Sequence, residues 1–196
     1  MKLSNILFLV MTVTFISGCA QSSALIRAGS TNIRRDIFKE TVVGGTIPAG
    51  HADLKIDFSV KTHKPGVYSA KDIHGTPDYR LLVNIDGQAM PLQGRLWAES
   101  AESRGLRDSE AGDGIRYQFT KNVRLKAGSH KIILAIIEDD IAVEREFTLA
   151  DGSRNSLVLE PIYRTVPGSR RPGANNAPSF QDGIRGLQVN LNDKPI

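Results

Sequence analysis

The chain has only one cysteine among its 196 residues, Cys19, so no disulfide can form within it. It also lacks the common catalytic and ligand motifs: there is no GxSxG nucleophile elbow, no HExxH or HxH pair, and no glycine-rich phosphate loop. We therefore expect a protein that is not an enzyme, with no catalytic residues, no cofactor and no metal.

The chain has no strong excess of charge of either sign. Lys and Arg total 25 and Asp and Glu total 21, which gives a net charge of +4. The basic residues are scattered, apart from the pairs Arg34-Arg35 and Arg170-Arg171. A nucleic-acid surface concentrates basic residues on one face or helix, so we expect no nucleic-acid partner.

The one long apolar run is Ile6 to Ile16, which follows Lys2 and precedes the small residues Ser17 and Gly18. A positive start, a short apolar core and small residues are typical of a secretory signal. The run is shorter than the roughly 20 apolar residues that a membrane-spanning helix needs. We predict that residues 1–18 are a signal peptide.

The string Ile16-Ser17-Gly18-Cys19 resembles the lipobox of bacterial lipoproteins. The resemblance implies a diacylglyceryl group on Cys19 and cleavage before it, so the membrane would be bound through an N-terminal lipid. Because Ala20 follows, and not Asp, it implies the outer membrane, facing the periplasm or the cell surface. The alternative is an ordinary cleaved signal that leaves a free cysteine. The small and polar residues that follow predict a lipidated, flexible tether over 19–32.

Beyond the tether, apolar and polar residues alternate with a period of two, as in Leu54, Ile56, Phe58 and Val60. Turn dipeptides such as Asp86-Gly87 separate such runs. Short strands between turns predict an all-β fold, a single immunoglobulin-like sandwich of antiparallel strands over 33–164. The run from Ile132 to Ile137 is apolar on both faces and predicts a central buried strand.

From Leu81 to Leu159 the order of strands and turns resembles PEGA-like domains, which are small extracytoplasmic β-sandwiches of bacterial lipoproteins and surface proteins. The matching residues form an "IDG" turn and an "L.AG.H.I" segment: Ile85-Asp86-Gly87, Leu125, Ala127-Gly128, His130 and Ile132. The Gly-Thr-Pro element that usually follows the turn is absent, and a polar insertion of about Gln88 to Gly114 stands in its place. The resemblance supports the fold and transfers no active site.

The insertion combines an aromatic residue with acidic side chains that could bind a cation or a sugar. These candidate ligand-binding residues are Trp97, Glu99, Glu102, Asp108, Glu110 and Asp113. The spacing does not match an EF-hand loop. The alternative, which we prefer, is a solvated loop beside a core tryptophan.

Two other groups of titratable residues are weaker candidates. Glu138 to Asp140 places three carboxylates together, but adjacent residues point apart and the segment is typical of a hairpin turn, so catalysis there is not expected. His63 and His74 flank a loop and could meet at a metal in space, which we also do not expect. We expect His130 to be structural.

The C-terminal region divides into a Pro- and Gly-rich flexible linker over 165–183 and a strand or tail over 184–196. Leu187, Val189 and Leu191 alternate, so this segment is expected to return to its own sheet or to pair with a partner's. We expect a non-catalytic, membrane-anchored envelope lipoprotein that serves as an accessory or assembly subunit with an envelope protein partner. The alternative is a carbohydrate- or peptidoglycan-binding module with a glycan partner.

Overall fold

The structure, a computed structural model, describes residues 17–42, 44–102, 108–165 and 177–196. It confirms an all-β fold, to which one helix is added. In chain order the elements are α1 (Ser17–Ser30), β1 (Phe38–Glu40), β2 (His51–Thr62), β3 (Arg80–Ile85), β4 (Gln88–Gln93), β5 (Arg95–Ala101), β6 (Gly112–Lys126), β7 (Gly128–Ile136), β8 (Ile141–Leu149), β9 (Arg154–Tyr163), β10 (Ile184–Leu191) and β11 (Lys194–Pro195). Two short 3₁₀ turns cover Ile137–Asp139 and Phe180–Asp182.

The strands form two sheets. The larger sheet has seven strands in the order β1-β6-β2-β9-β10-β11, with β5 also paired to β6, and the smaller sheet has the order β4-β3-β7-β8. The expected antiparallel pairing holds with one exception, because β2 and β9 run parallel, with Asp53 opposite Arg154. Strand β2 therefore lies between β6 and β9, near the middle of the larger sheet.

The core lies between the two sheets, and the period-two pattern assigns residues to it correctly. Leu54, Ile56, Phe58 and Val60 of β2 are all buried, and they pack in one apolar cluster with alternate residues of the smaller sheet. The predicted central strand is also found, since β7 pairs with β3 on one side and β8 on the other. Burying such side chains supplies most of the favourable free energy of folding.

Helix α1 occupies the region that was expected to be a flexible tether, so that expectation is wrong for residues 19–30. It packs on the outer face of the smaller sheet, against β3, β7 and β8. Gly29 lies so close to Ile133 and Leu82 that an added Cβ would be 3.0 Å from a methyl carbon of Ile133. Asn84 Nδ2 donates to the carbonyl oxygens of Gly29 and Thr31, at 2.9 and 3.1 Å. The helix thus explains why β7 is apolar on both faces.

Residues 1–16, which include most of the predicted signal peptide and the first residue of the predicted lipobox, lie outside the described residues. Cys19 belongs to the first turn of α1. Within the described part of the chain, no helix combines the length and apolar character that crossing a membrane requires.

The C-terminal strand returns to its own domain. Strand β10 pairs antiparallel with β9 along its length, and Leu187 and Val189 are buried in the core. Of the expected linker, residues 166–176 lie outside the described residues, whereas Phe180 is buried and Ser179 caps the 3₁₀ turn that contains it. The end of the predicted linker is therefore part of the folded domain.

Several connections meet at one end of the sandwich, which we call the loop end. It contains the chain that leaves β2 at Thr62, the 3₁₀ turn between β7 and β8, and the end of β9 at Tyr163. Helix α1 begins there too, because Ser23 Oγ donates to Asp140 Oδ1 at 3.2 Å. The candidate sites described next both lie at this end.

Candidate functional site

The segment that was expected to be a polar loop consists mainly of strands. Residues 88–101 form β4 and β5, β6 begins at Gly112, and residues 103–107 lie outside the described residues. The preferred interpretation placed Trp97 in the core, and the structure does not. Trp97 lies on β5 opposite Arg116 of β6, with 45% of its surface exposed.

Two of the predicted acidic residues pair with the same guanidinium group. Arg116 donates to both carboxylate oxygens of Glu99, at 2.8 and 2.9 Å, and to both of Glu110, at 2.7 and 2.9 Å. Tyr163 Oη donates to Glu110 Oε1 at 2.7 Å. We call Arg116, Glu99, Glu110, Tyr163 and Lys61 the arginine cluster.

Lys61 completes the arginine cluster from the adjacent strand, β2, where it lies opposite Arg116. Its side chain is fully buried, and Nζ donates to the carbonyl oxygens of Glu110 and Gly112 at 2.8 and 2.7 Å. Nζ also lies 4.9 Å from the ring centroid of Phe180. Burial lowers the pKa of Lys61, and the nearby Glu99 carboxylate opposes this effect.

The carboxylates of the arginine cluster are held ionised by their partners. A hydrogen bond from Arg116 lowers the pKa of Glu99. Burial alone would raise the pKa of Glu110, but the bonds from Arg116 and Tyr163 outweigh it and lower the pKa. These acceptor oxygens are already bonded to internal donors, so a cation or a sugar would have to compete with Arg116 for them.

The other predicted acidic residues do not join this cluster. Asp108 accepts a bond from the backbone N–H of Glu110, and Asp113 pairs with Lys64 on the surface at 3.1 Å. Glu102 is exposed beside the part of the segment that the structure does not describe. The structure therefore brings together Glu99 and Glu110 and leaves the remaining acids apart.

A second group at the loop end, which we call the histidine–aspartate cluster, contains His63, Asp72, His74, Asp139 and Tyr79. Asp72 uses both oxygens: Oδ2 lies 2.5 Å from His63 Nε2, and Oδ1 lies 2.6 Å from His74 Nδ1. His74 Nε2 is 3.3 Å from Asp139 Oδ1, and Tyr79 Oη donates to Asp139 Oδ2 at 2.7 Å. His63 and His74, which flank the loop in the sequence, do meet in space, since their ring centroids are 4.7 Å apart.

The charges in the histidine–aspartate cluster stabilise one another. Burial favours the neutral imidazole, but the bonds with Asp139 and Asp72 outweigh it and raise the pKa of His74 to about 9. Burial also opposes ionisation of Asp72, whose bonds with both histidines nevertheless lower its pKa to about 2. Burial raises the pKa of Tyr79 well above its usual value. At neutral pH, His74 is therefore protonated and cannot act as a general base.

The segment with three carboxylates is a turn, as expected. Its 3₁₀ turn ends at Asp140, which has a left-handed backbone (φ 53°). The side chains diverge, because Asp139 faces His74 and Tyr79 whereas Asp140 accepts a bond from Ser23. The carboxylates of Asp139 and Asp140 therefore do not face each other as a catalytic pair of acids would.

The two halves of the PEGA-like pattern contact each other at the opposite end of the sandwich. Asp86, in the turn between β3 and β4, accepts from His130 Nδ1 at 2.6 Å and from the backbone N–H of Lys131 at 2.8 Å. His130 Nε2 also lies 2.8 Å from the carbonyl oxygen of Lys126. These bonds give His130 a structural role at the end of β7.

Comparison with known proteins yields no match: no protein-family model, no curated protein and no solved structure is significantly similar to the chain. His63, His74 and Asp139 were named from the sequence but were not placed in one cluster, because Asp139 is far from the loop in the chain, and Asp72 and Tyr79 were missed. The available signal was the spacing of His63, Asp72 and His74 in one loop segment, which brings three potential ligands close together.

Proposed function

We propose that the chain is a lipid-anchored, non-catalytic envelope protein whose β-sandwich serves as an accessory or assembly subunit at the outer membrane. The observation that carries the proposal is the single cysteine at the end of a signal-like segment, in the string Ile16-Ser17-Gly18-Cys19. An acylated cysteine binds membranes stably when two or more chains are attached. We further propose that the sandwich is a PEGA-like domain, which the contact between Asp86 and His130 supports.

A lipid on Cys19 would hold the loop end near the membrane. Cys19 precedes Ser23 by one helical turn, and Ser23 contacts Asp140 in the turn between β7 and β8. Helix α1 is packed on the smaller sheet and so leaves little free length between lipid and sandwich. The opposite end, with the turn at Asp86-Gly87, would then face away from the membrane and be open to an envelope protein partner.

The anchor is tested by Cys19→Ala in cells, followed by detergent phase partition and mass spectrometry of the N-terminus. The wild-type chain should partition into the detergent phase and carry acyl chains at Cys19, and the variant should do neither. Cys19→Ser is the matched control for the thiol, since it keeps size and polarity and should behave like the alanine variant. Equal partition of the variants and the wild type would refute the lipoprotein proposal.

The second candidate function is glycan binding, which the exposed ring of Trp97 on β5 favours. An exposed aromatic ring can stack on a sugar face. The bonds within the arginine cluster count against it, because every carboxylate oxygen of Glu99 and Glu110 already accepts a bond from Arg116, with which a hydroxyl group would have to compete. A pull-down on peptidoglycan with wild type and Trp97→Ala distinguishes the two. Retention of the wild type alone would favour the glycan module over the assembly subunit.

A further inference from the structure

We propose that His63, Asp72 and His74 form a binding site for a divalent transition-metal ion of the zinc type. Each residue offers one ligand atom, and these atoms all lie within 4.8 Å of one another. This site is independent of the anchor and of the proposed assembly role.

The donor atoms suit such an ion. Two imidazole nitrogens and one carboxylate oxygen are a common ligand set for Zn²⁺, whose catalytic and exchangeable sites have three protein ligands and one water. With bonds of about 2.0 Å, tetrahedral ligands lie about 3.3 Å apart. Asp72 lies 2.5 Å from His63 through Oδ2 and 2.6 Å from His74 through Oδ1, so the contact of the oxygen that binds the ion would open by less than about 1 Å. The ligand atoms lie within 4.8 Å of one another, so the widest pair would close by at most about 1.5 Å.

The surroundings of His74 resemble the second coordination sphere of a zinc site. The metal would replace the proton on Nδ1 of His74, and that proton would pass to solvent. Nε2 of His63 would likewise bind without a proton, and the ring proton of His63 would sit on Nδ1, away from the metal. The other ring nitrogen of His74, Nε2, faces Asp139, which also accepts from Tyr79. A metal-bound histidine commonly donates its second N–H to a carboxylate, which fixes the ring and makes it a better ligand. Asp139 therefore orients His74 and is not itself a ligand.

The site has charge and space for the ion. Once the metal has displaced the proton of His74, Asp72 and Asp139 contribute two negative charges, which balance a divalent cation. A small cavity of about 10 Å³ adjoins both imidazoles and Asp139, with Phe180 and Ile184 among its walls. That space is about the size of one water molecule. Asp72 is not among its walls and Lys61 is, so a water there would approach the ion from the side of the two imidazoles.

The alternative is a cluster held by hydrogen bonds alone, which ties the loop after β2 to the turn after β7. Isothermal titration of Zn²⁺ into the untagged, EDTA-treated chain distinguishes the two, with Cys19→Ser as background so that no thiol competes. We expect one Zn²⁺ per chain. His74→Ala should weaken binding by more than about 100-fold, and Asp139→Asn by about 10- to 100-fold.

The matched control is His130→Ala, which removes a histidine that also bonds to a carboxylate but has no second imidazole beside it. It should bind Zn²⁺ as the wild type does. NMR of the histidine side chains in the protein with all four histidines intact provides a test that does not depend on whether a variant folds. Zn²⁺ should shift the ring resonances of His63 and His74 and leave those of His51 and His130 unchanged. Absence of stoichiometric binding, or equal affinity in His74→Ala that is still folded, would overturn the proposal.

Discussion

Replacing Arg116 with methionine tests how strongly the arginine cluster holds the loop end together. The guanidinium makes four hydrogen bonds to Glu99 and Glu110, and its side chain is only 11% exposed. Methionine keeps most of the volume of the side chain and removes the charge. The change therefore leaves two partly buried carboxylates without their main partner.

The expected loss of stability follows from the burial of these groups. Removing one partner of a buried ion pair commonly costs about 3–5 kcal/mol. The Glu99 and Glu110 side chains are 26% and 33% exposed, so water replaces part of the lost interaction. Lys61 Nζ also remains 3.6 Å from Glu99. We therefore expect the free energy of unfolding to fall by about 2–3 kcal/mol, which is less than a fully buried pair would lose.

The stability difference between Arg116→Met and the wild type should depend on pH in a defined direction. In the wild type the folded-state pKa values of Glu99 and Glu110 are lowered, so their contribution is present above the unfolded-state value of about 4.3 and is lost as the pH falls through the folded-state values. In Arg116→Met these carboxyl groups protonate more readily, because burial then dominates. The difference in stability between variant and wild type should be largest at pH 7 and shrink at pH 4.

Urea unfolding at both pH values measures this difference. Arg116→Lys should lie between wild type and methionine, because it keeps the charge and loses the paired hydrogen bonds. Arg34→Met is the control, since the pair between Arg34 and Asp36 is exposed and should leave stability unchanged. A loss below about 1 kcal/mol at pH 7, or a difference that does not shrink at pH 4, would refute the reasoning.

Three further changes test other parts of the fold. Leu134→Asp puts an unpaired charge in the core, where Leu134 is fully buried, and should abolish the cooperative thermal transition; an unchanged transition would contradict the assigned core. Gly114→Ala should cost about 1–3 kcal/mol in urea unfolding, because its Cβ would lie 2.6 Å from the carbonyl oxygen of Thr62, and a neutral effect would mean that the strand moves freely. Truncation after Thr165 removes β10 and uncovers the edge of β9, so light scattering should show aggregation and the melting temperature should fall; a monomer of wild-type stability would argue against this pairing.

Much of the sandwich could be predicted because strand periodicity is a local property of the sequence. Leu54, Ile56, Phe58 and Val60 alternate with polar residues, and the structure buries all four. The turn at Asp86-Gly87 was equally readable, since both residues have positive φ, at 48° and 92°. What failed was the N-terminal segment. Its small and polar residues do not show a strong apolar stripe, and its helix is stabilised by the sheet on which it packs.

The sites were harder to predict because they depend on contacts between distant parts of the chain. Glu99 and Glu110 could be identified as candidates, but their role could not be predicted. Their partner, Arg116, lies among the alternating polar residues of β6, where nothing in the sequence distinguishes it from an exposed residue. Asp139 meets His74 only after the turn between β7 and β8 folds over the loop that follows β2. The sequence did contain one physical clue to helix α1, which was not predicted. A strand that is apolar on both faces needs another element packed on each face.

The position of β2 has a consequence for how the chain reaches this structure. Both neighbours of β2 come late in the sequence: Phe58 is opposite Phe119 of β6 on one side and Leu159 of β9 on the other. Pairings between residues so far apart carry a large loop-closure cost and make folding slow. During synthesis, β2 emerges long before either partner and exposes its apolar side chains meanwhile. Until β9 has been made, such a chain is more prone to aggregate than one whose strands pair with their sequence neighbours.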